Sequence, residues 1–302
     1  MLIHRFHVSR APFIVSYFNT LYVMNMQPFE TSIRTNSDTG LKLMYQVINK
    51  WEKDEKVLIA YSGGVDSSLL CDIVWERIRE RMIALLLIGP FMPQHEIDKA
   101  VLFAQKQKFP LLIREYAFLS FPDVTANTKK RCGFCKQHMA DLLWQVADEQ
   151  GCSIIIDGVC VSDTHEYRPG IEVSTKAGIK HPFLEAGITK SEIRALAQKR
   201  GLSVWNKPSS ACLASRIPYG TILTKKRLEC IERSELYLQD SGFAPVRVRM
   251  HENIARIEVA YEQFPMLIEN RKEIVSTLRE FGFLYVTLDL LGYRSGSMDE
   301  TR

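Results

Sequence analysis

Val57-Leu58-Ile59-Ala60-Tyr61-Ser62-Gly63-Gly64-Val65-Asp66-Ser67-Ser68 is the stretch that decides the fold. Its first five residues form a continuous apolar run, the pattern of a parallel strand buried on both faces. A Gly-Gly turn flanked by serines follows, and then a helix with Leu69, Leu70, Ile73, Val74 and Ile78 on one face. Such a strand–turn–helix unit is an anion site. Gly63 and Gly64 let backbone amides approach phosphate oxygens, and Ser62, Ser67 and Ser68 add hydroxyl donors. The helix beginning near Asp66 turns its positive dipole end toward the anion. The Gly-Lys-[Ser/Thr] ending of a Walker loop is missing, which argues against γ-phosphate transfer.

Outward from this unit, strands are expected at residues 83–88, 111–114 and 154–157, with helices between them at 96–106 and 137–149. Strand–helix alternation at this spacing predicts an α/β fold built on a doubly wound parallel sheet, with ligands at the carboxyl ends of its strands. Helical periodicity also covers 41–51, and a capping box, Thr189-Lys190-Ser191-Glu192, opens a further helix that closes at Gly201. Residues 205–220 are rich in Pro, Ser and Ala, and read as an active-site loop at a domain boundary. A helix over 224–240, strands over 246–250 and 254–259, a helix over 264–281 and a strand over 284–288 then predict a smaller α+β C-terminal domain. The expected division is 41–207 for the nucleotide domain and 208–302 for the second.

The 302 residues suffice for two such domains, and the formal charge of +4 is too weak to imply nucleic acid. Residues 1–40 are expected to form an extension, with true initiation near Met24 or Met26 or a poorly ordered tail. The apolar stretch from 11 to 24 is too short and too polar to span a bilayer, so no membrane role is expected. Seven cysteines, an odd number, beside a phosphate-binding loop favour the reducing cytoplasm.

Two cysteine contexts carry chemistry. Cys132-Gly133-Phe134-Cys135, flanked by Arg131 and Lys136 just ahead of a predicted helix, is a C-x-x-C in surroundings that favour thiolates. Zinc, iron–sulfur and redox pairs all use that spacing. Cys212 stands among small residues in Lys207-Pro208-Ser209-Ser210-Ala211-Cys212-Leu213-Ala214-Ser215-Arg216. Cys71 and Cys230 read as core residues, and so does Cys160, for which a fourth-ligand role is the alternative. In the C-terminal half, alternation puts Arg247 and Arg249 on one strand face, and Arg256 and Glu258 on a face of the next. Glu235 falls in the apolar stripe formed by Leu228, Ile231 and Leu238, where a carboxylate needs a partner such as arginine.

Taken in order, SGGVDSS, NTKKRCGFCK, DGVCVSDTHEYRPG (157–170), TKSEIRALAQKRGL (189–202), KPSSACLASRIPYG (207–220), VRVR and ARIEV resemble the ATP-dependent sacrificial sulfur transferase (LarE) family. That family lies within the PP-loop ATP pyrophosphatases, which cleave ATP between the α and β phosphates with Mg²⁺. The agreement runs from about residue 41 to near the C-terminus. The resemblance implies adenylylation of the carboxylates of pyridinium-3,5-biscarboxylic acid mononucleotide and their conversion to thiocarboxylates, for a nickel-pincer cofactor. It implies that Ser62 to Ser68 bind ATP and that Cys212 handles sulfur. Members with an added C-x-x-C imply a [4Fe–4S] cluster on Cys132, Cys135 and Cys212. The family resemblance further implies that Ser215, Arg216, Arg247 and Arg249 bind a substrate phosphate with Glu235 and Glu258 nearby, and that the chain is a homo-oligomer. Cys160 stands where the family commonly has Asn. Competing readings are a tRNA-thiolating enzyme, an amidotransferase and a non-catalytic nucleotide sensor.

Overall fold

The computed structural model describes residues 39–165, 169–208 and 212–294. The expected N-terminal extension, the centre of the 157–170 motif, and Ser209, Ser210 and Ala211 of the expected active-site loop lie outside the described residues. The elements in order are α1 Thr39–Ile48, β1 Val57–Tyr61, α2 Val65–Ile78, β2 Met82–Ile88, α3 Gln94–Gln107 and β3 Leu111–Glu115. Next come α4 Pro122–Thr125, α5 Arg131–Gln150, β4 Ile154–Ile156, α6 Pro169–Lys176, α7 Pro182–Glu185 and α8 Lys190–Lys199. The C-terminal part holds α9 Lys225–Asp240, β5 Val246–His251, β6 Ile254–Val259, α10 Phe264–Glu269, α11 Arg271–Phe281 and β7 Tyr285–Leu288.

The first sheet is parallel, with strand order β3-β2-β1-β4. Side-chain alternation divides its residues between two cores. Val57, Ile59 and Tyr61 of β1, with Met82, Ala84 and Leu86 of β2, pack against α1, α2, α3 and α8. Leu58, Leu85 and Ile155 face the other way, onto Ala140, Leu143, Val146 and Ala147 of α5. Helices on both faces make the sheet doubly wound, as the sequence predicts. The chain crosses over between β1 and β4, and the carboxyl end of β1 therefore opens into the crevice where such sheets bind ligands.

The second sheet has order β5-β6-β7, antiparallel then parallel, and covers a core with α9 and α11. Phe91, Tyr116, Phe118 and Val124, from beyond β2 and β3, join that core. The two parts are thus joined through apolar packing rather than by a bare linker.

Two expectations are corrected. Helix α5 starts at Arg131, not near residue 137, so the C-x-x-C forms its first turn. The buried Arg131 side chain, rather than an apolar residue, anchors this extra turn, which is why hydrophobic periodicity missed it. The expected 264–281 helix is two helices, interrupted at Asn270, whose side-chain amide donates to the Met266 carbonyl (2.8 Å). Phe183 in α7 is fully buried in the core that supports β1. Phe183→Ala should lower stability by about 3–5 kcal/mol in urea unfolding.

Candidate nucleotide and sulfur site

At the loop after β1, Gly63 adopts φ +70°, and a Cβ there would stand 2.5 Å from the Ala100 Cβ on α3. Glycine is therefore required twice, by the left-handed backbone and by the close approach of α3. The Ser67 hydroxyl knits the turn: it accepts from the Ser62 amide (3.1 Å), donates to the Gly64 carbonyl (3.3 Å) and lies 3.1 Å from the Ser62 hydroxyl. Gly158, just past β4, passes so close that a Cβ would lie 3.0 Å from the Ser67 nitrogen. The α2 N-terminus, with Val65 at its first position, faces the crevice beside these residues.

Two lysines that the sequence reading did not single out serve this loop. Lys190, the first residue of α8, pairs with Asp66 Oδ2, positioned by the predicted capping box of Thr189 and Glu192. The other oxygen, Asp66 Oδ1, is buried with no hydrogen-bond partner among the described residues. Lys207 donates to the Gly63 carbonyl (2.9 Å) and pairs with Glu96 (2.7 Å), which helps hold the Glu96 carboxyl below its ordinary pKa against burial, the larger and opposing influence. The signal was present: both lysines lie inside the quoted motifs, but lysine alone carries no periodic signature.

The structure brings the three candidate cysteines into one electrostatic neighbourhood. Cys132 and Cys135 share the first turn of α5, three residues apart and hence on one face. Burial first, and then Cys212, pushes the Cys135 thiol up to about 12, with Lys136 and Arg131 opposing. Cys212 is solvent-accessible, yet enough protein surrounds its sulfur to raise the thiol, while Arg131 pulls it down. Among the described residues no three Cys, His, Asp or Glu side chains converge as they would on a single metal ion. An all-thiol set fits iron–sulfur chemistry better than hard cations. Cys71, Cys160 and Cys230 are buried in the hydrophobic cores, in agreement with the packing reading.

On the C-terminal side, Arg216 makes a bidentate pair with Glu235 (2.9 and 3.0 Å), the partner that the apolar stripe demanded. Its Nη1 donates to the Cys212 carbonyl (3.2 Å) and the Ser215 hydroxyl (3.0 Å). Arg249 pairs with Glu258 (2.9 Å) and donates to the Ser215 carbonyl (3.1 Å), while Arg256 takes the second Glu258 oxygen (3.0 Å). Arg247 instead lies 5.4 Å from the Tyr293 ring centroid, with no carboxylate paired to it among the described residues. Burial and the neighbouring Arg216 lower its pKa. Arg247, Arg216, Glu235 and Tyr293, together with Glu96 and Lys207, line a cavity of about 780 Å³.

No family model matches the chain. It is 34% identical over 248 residues to the pyridinium-3,5-bisthiocarboxylic acid mononucleotide synthase of Lactiplantibacillus plantarum, covering 82% of this chain and 90% of that protein. The chain belongs to the LarE family. An uncharacterized Synechocystis protein is 38% identical over 81% of this chain and 92% of its own length. A probable tRNA sulfurtransferase of Methanothermobacter thermautotrophicus matches at 27% identity, over 48% of this chain and 40% of that protein. This LarE-family chain is thus a sulfur transferase whose similarity to tRNA-modifying enzymes covers only about half of its length.

The loop geometry predicts unequal glycines in this LarE-family protein. Gly63→Ala should abolish most ATP binding in calorimetry, whereas Gly64→Ala, whose Cβ would meet only the Ser62 hydroxyl at 3.5 Å, should be milder. Adding Ala100→Gly should restore part of the Gly63→Ala loss, since it removes the 2.5 Å contact but neither the 3.1 Å approach to the residue 100 Cα nor the φ penalty.

Proposed function

We propose that the protein uses ATP to adenylylate the carboxylates of pyridinium-3,5-biscarboxylic acid mononucleotide and replaces carboxylate oxygen by sulfur, in nickel-pincer nucleotide biosynthesis. One observation carries this reading. Lys207, which is bonded to the turn after β1, lines the same cavity as Arg216 and Arg247. ATP and a phosphorylated carboxylate thus have adjoining berths, with Cys212 linked to the second through Arg216. The printed name of the L. plantarum relative supports the choice of mononucleotide.

The chemistry follows from leaving groups. A substrate carboxylate oxygen attacks the α-phosphorus, the bond to the β-phosphate oxygen breaks, and pyrophosphate departs. Sulfide then adds to the activated carbonyl carbon. AMP leaves with the original oxygen, and a thiocarboxylate remains. The turn amides and the α2 N-terminus receive the phosphates, and the orphaned Asp66 Oδ1 is a carboxylate oxygen free for the accompanying Mg²⁺. Cys132, Cys135 and Cys212 would hold a [4Fe–4S] cluster, which, when bound, supplies the transferable sulfide at an iron without a protein ligand. Arg247 is the guanidinium left to meet the substrate phosphate, because Arg216 and Arg249 already face glutamates. No described helix is long and apolar enough to cross a membrane, and a reducing cytoplasm would suit the free thiols.

The test is an anaerobic incubation with ATP, Mg²⁺ and sulfide, offering either the biscarboxylate mononucleotide or bulk tRNA, with products weighed by mass spectrometry. AMP, pyrophosphate and a thiolated mononucleotide in step are expected. Thiolated tRNA, or ATP binding without pyrophosphate release, would overturn the reading. Arg247→Ala should raise KM for the mononucleotide by about tenfold or more, the worth of one charge-assisted contact, and leave ATP binding unchanged.

A further inference from the structure

Three arginines of the described chain are buried: Arg131, Arg216 and Arg249. The latter two face Glu235 and Glu258. Arg131, only 5% exposed, faces no carboxylate among the described residues. Its Nη1 donates to Asn127 Oδ1 and to the Ala214 carbonyl (3.0 Å), its Nη2 lies 3.6 Å from the Cys132 sulfur, and its guanidinium stands 5.5 Å from the Tyr219 ring centroid. Burying a cation against dipoles alone is costly, so a guanidinium kept in such a place signals a negative group that completes it.

The surroundings say where that group sits. Cys132 follows Arg131 at the start of α5, and Ala214, whose carbonyl it holds, is two residues past Cys212. Asn127 fixes the guanidinium from behind. It is fully buried at φ +51°, and its side-chain amide donates to the carbonyls of Pro218 (2.8 Å) and Ile217 (3.3 Å), which leaves Oδ1 for Arg131. Its own carbonyl accepts from the Gly220 amide (2.9 Å). Asn127 and Arg131 therefore staple the C-x-x-C turn to residues 214–220 in five places.

We propose that Asn127 and Arg131 form a positioning clamp that gathers Cys132 and Cys212 and supplies the fixed positive charge for an anionic sulfur centre held between them. This rests on the reading of these cysteines under Proposed function. Asn127 orients, and Arg131 both tethers and neutralises; neither forms a bond to the transferred sulfur.

The test has two arms on the full-length chain. In metal-free protein, a short thiol-to-thiol probe, dibromobimane, is used to bridge Cys132 and Cys212, and the bridged peptide is quantified by mass spectrometry. In anaerobically reconstituted protein, the half-life of iron release to a chelator is measured. Arg131→Met should cut the bridged yield several-fold and speed iron release about tenfold or more, the worth of a charge-assisted contact. Arg131→Lys, which keeps the charge but not the fork, should fall between it and the wild type in iron release. Wild-type values for both readouts in folded Arg131→Met protein would overturn the proposal. Should that variant fail to fold, Asn127→Ala decides by the same bridging yield, a fall supporting the clamp and a wild-type value overturning it. Absence of iron in the wild type would overturn the cluster reading alone, because bridging is measured without metal and judges the clamp by itself.

Discussion

The guanidinium of Arg216 is the interaction on which the site depends. It is 2% exposed, and its donors reach both oxygens of Glu235, the Ser215 hydroxyl and the Cys212 carbonyl. Helix α9 delivers Glu235, and the turn after Cys212 delivers the arginine. Glu235 also accepts from the Val248 amide of β5 (3.0 Å). One buried ion pair thus fixes a helix, a strand and the sulfur-bearing turn relative to each other. Breaking it by removing one partner would strand a charge in the interior, which ties folding of this part to the geometry the site needs.

A second consequence is a division of labour among charges. Arg249 and Arg256 share the two oxygens of the fully buried Glu258, and Arg216 is matched by Glu235. With Arg256 shared further by Asp289 (3.4 Å), these arginines leave little net charge. Arg247 and Arg131 lack paired carboxylates among the described residues. One lies on the cavity and the other beside the cysteines, so the unmatched positive charge is divided between two separate places rather than spread over one diffuse patch.

Much of this was legible in the sequence, and the reasons for what was not are physical. The apolar run at 57–61 and the Gly-Gly turn announce a strand, a tight turn and a helix because backbone sterics leave few other uses for that pattern. Glu235 betrayed its arginine because a carboxylate in an apolar stripe cannot go unmatched. The start of α5 was hidden because its first turn is anchored by a buried arginine, which periodicity counts as polar. Lys190 and Lys207 were hidden for a related reason: a lysine is normally solvated, and only the fold reveals that these two reach back to the loop after β1. The meeting of Arg131 with Ala214, far apart in the chain, lay beyond any local pattern.

The bond from Lys207 to the Gly63 carbonyl has a consequence for distance. Five peptide steps separate Lys207 from Cys212, and a fully extended chain covers at most about 18 Å in that number of steps. Lys207 is held by Glu96 on one side and by the turn on the other, so it acts as the fixed end of a leash. Whatever path the intervening residues take, the sulfur-bearing residue cannot stray further from that anchor. Two parts of the site that sit on separate hydrophobic cores are thereby tethered by a short stretch of chain, in addition to the apolar packing that joins the cores.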